Sequence, residues 1–135
     1  MNSLDPALVA LTVGGNLISG YAPGTFIEVS RDEMDWTMQT GADGEVARMR
    51  NRNAQGSIKV TLMQGSASNA VLSALAAADK SSYVTAGPAY VKDLATGETF
   101  GGAESFVEGM PTAAFATEVQ TREWTIKVPR LDAEF

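Results

Sequence analysis

Few residue types in this chain could carry chemistry. Its 135 residues include no cysteine and no histidine, which removes disulfides, Cys/His zinc sites, thiolate nucleophiles, Ser-His-Asp triads and imidazole acid–base catalysis. Any catalysis would fall to carboxylates, Lys, Tyr or hydroxyls. The acidic run Asp32, Glu33, Asp35 has the residue type for a general acid–base pair. However, Asp32-Glu33 reads as the turn of a hairpin joining residues 26–31 to 34–40. Gly41-Ala42-Asp43-Gly44-Glu45 sets oxygen ligands around a glycine turn, as a calcium loop begins. It then continues Val46-Ala47-Arg48, where further oxygen ligands and a closing Glu would be required. Val13-Gly14-Gly15-Asn16 and Phe100-Gly101-Gly102 match neither a phosphate loop nor a dinucleotide fingerprint, and read as turns or bulges. The expectation is a protein that is not an enzyme, with no catalytic residue, metal or cofactor.

The basic residues are more suggestive. Arg48, Arg50 and Arg52 alternate, so in an extended chain all three guanidinium groups point the same way, as a stripe for phosphates or a row of carboxylates. Three readings stand: a solvated basic surface, carboxylate pairing with another subunit, and nucleic-acid binding. No aromatic residue is interleaved with the arginines, and single-strand binders normally add stacking platforms. Charge is also uneven on a larger scale. Residues 1–47 carry a net −6, residues 48–80 a net +4 and residues 81–135 a net −4, for −6 overall. An acidic chain repels phosphate at long range, which disfavours tight DNA binding. A basic block between two acidic ones suits head-to-tail assembly of copies.

The elements that must position these residues follow from hydrophobic periodicity. Period-two alternation places Val9, Leu11 and Val13 on one face, Ile27 and Val29 on another, and Met34, Trp36 and Met38 on a third. The clearest strands are 56–63, with Ile58, Val60 and Leu62 alternating with polar residues, and 122–128, with Trp124, Ile126 and Val128 doing the same. The second must stop at Pro129. Further strands are expected at 89–94, 98–100, 104–108 and 113–119, with Ala95-Thr96-Gly97 as a hairpin connection. Both tryptophans read as core residues.

One segment is helical. Residues 67–80 are Ala-rich without Gly or Pro, have Ser66 or Ser68 as N-cap, and set Val71, Leu72, Leu75 and Ala76 along one stripe. Residues 41–55 contain turn residues and almost nothing to bury, so they read as a long loop, the kind of segment that carries function. Many short strands, one helix and no βαβ alternation predict a mainly β fold: an antiparallel barrel or sandwich with one flanking helix, formed by a single domain over 1–135. The apolar run Leu8–Val13 is too short to span a bilayer and has no basic region before it, so no membrane partner is expected and the protein is expected to be made in a cytoplasm. Residues 1–20 are a candidate N-terminal arm that docks on assembly.

Four segments together carry a resemblance. Gly41-Ala42-Asp43-Gly44-Glu45, then Gly56-Ser57-Ile58-Lys59-Val60-Thr61-Leu62, then Ser68-Asn69-Ala70-Val71-Leu72-Ser73-Ala74-Leu75, and finally Arg122-Glu123-Trp124 resemble the tail tube proteins of contractile-tailed bacteriophages, over about residues 21–128. The family is similar to the type VI secretion tube protein. The resemblance implies a barrel-like subunit with one flanking helix, six copies to a ring, and rings stacked into a hollow tube that conducts the genome into the host. Sheath, baseplate and tail terminator would be its other partners. The protein would be a component of the virion tail, assembled in the host cytoplasm.

In such tubes the inner wall is a closed sheet with about four strands from each of six subunits. Roughly 24 strands spaced about 4.8 Å apart give a diameter near 37 Å before tilt. Closure also hides strand edges that would otherwise template aggregation. The 41–55 segment corresponds to the family's contact region, which makes Asp43, Gly44, Glu45, Arg48, Arg50 and Arg52 expected interface residues. Glu28, Asp35 and Glu123 are expected to face the lumen, where an acidic wall would not hold passing DNA; Lys59 and Lys127 lie on similar faces and complicate that picture. The alternative is a secretion-type tube or another tail or baseplate component.

Overall fold

A computed structural model describes residues 8–134. Eleven strands and one helix run in the order β1 (Val9–Val13), β2 (Asn16–Ile18), β3 (Ile27–Arg31), β4 (Trp36–Thr40), β5 (Val46–Arg50), β6 (Gly56–Met63), α1 (Ser68–Ser82), β7 (Ala89–Asp93), β8 (Thr99–Gly102), β9 (Phe106–Val107), β10 (Thr121–Val128) and β11 (Asp132–Glu134). Every pairing is antiparallel. One sheet has the order β11-β8-β7-β1-β2, a second β3-β6-β10-β9, and β4 pairs with β5 alone.

The two larger sheets share a single apolar core. Leu11 and Val13 on β1, Ile18 on β2, and Ala89 and Val91 on β7 meet Ile58, Val60 and Leu62 on β6 and Trp124, Ile126 and Val128 on β10. Alternation determines this arrangement. On β6 every second side chain is buried while Lys59 stays exposed, so a slip of one residue would turn the apolar set outward. Strand β10 repeats the pattern in register, with Trp124 opposite Val60 and Ile126 opposite Ile58.

Between β1 and β2, Gly14 and Gly15 adopt φ of 58° and 83°, the left-handed pair that a two-residue hairpin turn of matching twist demands. The expected turn is thus a hairpin, and it adds β2 to the sheet. Gly101 has φ of 148°, and a Cβ there would come within 2.0 Å of the Ala89 carbonyl oxygen; the two backbones meet too closely for a side chain. At the β7–β8 connection the Gly97 N–H donates to the Asp93 carbonyl (2.8 Å) and the Ala95 N–H to Asp93 Oδ1 (2.9 Å), closing the hairpin predicted there.

Helix α1 runs two residues past the predicted end, and Tyr83 follows in the left-handed conformation (φ 54°). Leu72 is fully buried, with Val71, Leu75 and Ala76 packed against the core. Ala67 precedes the first residue of the helix with helical φ and ψ and no side-chain bond, and Ser66, one of the two candidate caps, accepts from the Ser68 N–H through its Oγ (3.2 Å). Ser66 Oγ also donates to the Ser19 carbonyl (2.6 Å), and Ser68 Oγ accepts from the Ser19 N–H (2.9 Å). These bonds tie the helix start to the chain after β2. Asn69 completes the link: its Nδ2 donates to the Met63 and Gln64 carbonyls, and its Oδ1 accepts from Trp124 Nε1 at 2.9 Å.

Several expectations need correction. Residues 9–13 and 16–18 of the predicted N-terminal arm are strands, with Leu11, Val13 and Ile18 in the core; residues 1–7 of that arm lie outside the described residues. Segment 113–119 forms no strand and is exposed, having no sheet neighbour to bury its apolar positions. Strands 26–31 and 34–40 do not pair with each other: β3 pairs with β6 and β4 with β5. Alternation announces a strand but not its partner.

Candidate functional site: an exposed hairpin arm and a polar sheet face

The segment read as a long loop is half of a hairpin. β4 and β5 pair over five positions from Trp36 opposite Arg50 to Thr40 opposite Val46, and all residues from 31 to 50 are exposed. Gly41-Ala42-Asp43-Gly44-Glu45 is the tip. The Gly41 N–H donates to the Glu45 carbonyl (2.7 Å), the Gly44 N–H to the Gly41 carbonyl (3.0 Å) and the Glu45 N–H to Asp43 Oδ1 (3.2 Å), while Gly44 takes φ of 87°. These oxygens and glycines close a turn. Among the described residues no group of three or more acidic side chains converges on a metal-sized space.

The foot of the arm is fixed by polar bonds. The Asn51 N–H donates to the Asp35 carbonyl (2.7 Å) and Asn51 Nδ2 to the Glu33 carboxylate. Arg31 pairs with Asp35 Oδ1 at 2.9 Å and donates to the Leu131 carbonyl at 2.8 Å. The expected arginine stripe is therefore split. Arg48 and Arg50 share one face of the arm with Trp36 and Met38, as the register requires, and the Arg48 guanidinium lies 4.1 Å from the Trp36 ring centroid. Arg52 lies beyond the strand, at the foot. Trp124 is core, as its pattern predicts, but Trp36 is 48% exposed, and Met34, Met38, Val46 and Met49 on the same arm are more exposed still. Alternation marked Met34, Trp36 and Met38 as strand residues, whereas Val46 and Met49 fall in the segment read as a loop; among the described residues no sheet lies opposite β4–β5 to bury them.

A pocket of about 520 Å³ opens at the foot, lined by Arg31, Arg50, Arg52 and Arg130 with Asp35 and Asp132. Sequence reasoning missed Arg31 and Arg130, which are far from the stripe in the chain; β11 and the β3 end bring them in.

The expected lumen residues divide two to one. Glu28 on β3 and Glu123 on β10 stand on the polar face of the sheet β3-β6-β10-β9, Glu28 opposite Lys59 and Glu123 opposite Thr61. Asp35 is on no strand of that sheet and sits at the arm's foot. Lys59 and Lys127 occupy the same face, Lys127 lying 3.5 Å from Asp32, so two lysines stand among three acids. Beside the β3 edge the two sheets leave a groove of about 680 Å³, with Val9, Ile27, Val29, Val91 and Phe100 in its lining. Tyr21, bridged to Leu62 on β6, donates through its hydroxyl to the Ile18 carbonyl (2.7 Å), and burial pushes its phenol above the ordinary value.

The model of the Bacteriophage PhiTE tail tube protein family matches residues 6–135. The chain belongs to that family. A relative in Pseudomonas phage KPP10, structural protein ORF10, is 26% identical over 113 residues, covering 82% of this chain and 65% of the relative. The chain thus spans just under two thirds of that protein's length. Among solved structures, the tail tube family member resembles the sheath/tube terminator of an extracellular contractile injection system, PVC, in the extended state (TM-score 0.68, 13% identity, covering 100% of this chain and 99% of that one). It also resembles the tube-terminating cap of the anti-feeding prophage (TM-score 0.58, 10% identity, 99% and 92%) and a chain of the PVC sheath–tube complex (TM-score 0.55, 14% identity, 98% and 91%). At these identities the structural likeness concerns the fold, which is mainly β with one helix and antiparallel sheets. The family and these neighbours are structural tail components. Among the described residues no helix is long and apolar enough to cross a membrane.

Proposed function

We propose that this chain is the tube subunit of a contractile phage tail, in which six copies close into a ring, rings stack inside the sheath between baseplate and terminator, and the genome passes through the bore. The observation that carries this reading is the sheet β3-β6-β10-β9: one face lines the core, the other is polar, and β3 ends it as an edge bonded on one side only. An open edge beside an apolar groove is an aggregation hazard unless another strand covers it. A neighbouring copy adding its sheet to β3 would pair the edge and cover the groove together. Glu28 and Glu123 would then face the lumen with Lys59 and Lys127. With Asp32 beside Lys127, that wall carries no positive excess, so it offers passing DNA little counterion release. Low grip suits a conduit.

The arm supplies the second kind of contact. Its exposed Met34, Met38, Val46 and Met49 need an apolar partner, and Asp43, Gly44, Glu45, Arg48, Arg50 and Arg52 are its contact residues toward a neighbouring subunit or ring. Negative-stain microscopy of the purified protein tests this: tubes with a bore of roughly 37 Å or wider are expected. The triple change Arg48→Glu, Arg50→Glu, Arg52→Glu should leave a folded subunit that no longer stacks. Isolated rings would favour a secretion-type or terminating component, and wild-type monomers at all concentrations would overturn the assembly reading.

A further inference from the structure

The arm is charged in opposite senses at its two ends. At the tip, Asp43 and Glu45 are exposed, and among the described residues no basic side chain forms an ion pair with either of them. At the foot, Arg50, Arg52 and Arg130 surround a pocket in which Arg31 pairs with Asp35, and among the described residues the other three arginines form no ion pair with a carboxylate. Counted over its charged lining, the pocket holds four arginines against Asp35 and Asp132. The surplus of two positive charges equals the two negative charges at the tip. The tip cannot reach its own foot, because five paired positions keep them about 15 Å apart.

We infer that the foot pocket is the receptor for the arm tip of a second copy, with Arg50, Arg52 and Arg130 receiving the Asp43 and Glu45 carboxylates. This rests on the assembly reading above and names the partner of the arm within it. The occupant is a second copy because the chain carries both halves of the match. Such a contact joins two different patches, so it is heterologous and builds a ring or an open stack instead of an isologous dimer. Arginine suits the receptor, since its planar fork binds carboxylate in pairs of hydrogen bonds. The apolar arm face beside the tip would follow it down and bury part of its methionine surface.

Charge exchange tests the pairing. Asp43→Arg with Glu45→Arg, and separately Arg52→Glu with Arg130→Glu, should each reduce assembly at least tenfold in sedimentation velocity at low salt. All four changes in one chain should restore most of it. Far-UV circular dichroism checks that each variant is folded. If the wild type assembles and both reversed pairs assemble equally well, or if the fourfold variant is not rescued, the inference fails while the tube reading stands.

The absence of native cysteine provides a second readout independent of tube formation. Ala42→Cys at the tip with Ala54→Cys in the pocket should give a ladder of disulfide-linked multimers under mild oxidation, since the two positions are too far apart within one chain to bridge. Ala42→Cys with Lys80→Cys should give none. A ladder equal in both, or absent in both, overturns the inference. Retention of the wild type on duplex DNA that disappears with Arg52→Glu and Arg130→Glu, without any change in assembly, would assign the pocket to a polyanion instead and likewise overturn it.

Discussion

The strand pair β6–β10 and the strand pair β4–β5 are built by the same rule and meet opposite fates. Both are antiparallel, both alternate, and both carry large apolar residues on one face. In the first, Ile58, Val60, Leu62 and Ile126 are fully buried; in the second, Met38 is 77% exposed and Trp36 48%. The difference lies in what stands opposite. The β6–β10 face meets a second sheet, whereas β4–β5 leaves the body of the subunit held by polar bonds at its foot. A lone two-stranded hairpin is marginal in water, so the arm is the low-stability end of this molecule, and in the proposed assembly a neighbouring copy would cover it.

Three substitutions would break or sharpen that contrast. The largest effect belongs to the body. Ile58→Ala removes a fully buried side chain from between the sheets and should cost about 2–5 kcal/mol in urea unfolding; a cost near zero would mean that this core is not the source of subunit stability. Next is Asn69→Ala, which leaves the buried Trp124 N–H without its acceptor and should cost about 1–3 kcal/mol. Trp124 fluorescence should shift in the same variant if the bond holds the ring in place. The smallest effect on the isolated subunit belongs to the arm. Met38→Ser should change unfolding free energy by less than about 0.5 kcal/mol, yet reduce tube formation, and trypsin should cut after Arg48, Arg50 or Arg52 in the free subunit but not in the tube. Equal protease resistance in both states would show that the arm has no assembly partner.

These expectations also mark how much was legible in advance. Strands 56–63 and 122–128 and the hairpin around Ala95-Thr96-Gly97 could be read because alternation and turn chemistry are local. The β4 strand was legible for the same reason, but its burial was not. Met34, Trp36 and Met38 alternate as core residues do, and nothing local says that the opposing sheet is missing. β5 escaped because Val46-Ala47-Arg48-Met49-Arg50 alternates weakly and its arginines drew attention to charge; pairing with β4 makes it a strand. Of the candidate contact residues, Asp43, Glu45, Arg48, Arg50 and Arg52 do lie together along one arm. Arg130 entered only when β11 carried the chain end back to the arm's foot.

The sequence by itself determined that this protein is mainly β with one helix, that thiol and imidazole chemistry is ruled out, and that charge of both signs is concentrated between residues 41 and 52. Those properties are set by composition and by periods of two and 3.6 residues, which act over neighbours along the chain. Tertiary structure alone decided which apolar faces are buried, which strand is left as an open edge, and which distant arginines converge on one pocket. Those outcomes depend on pairing across tens of residues, where one local pattern fits several partners and only the packing of the whole chain chooses among them.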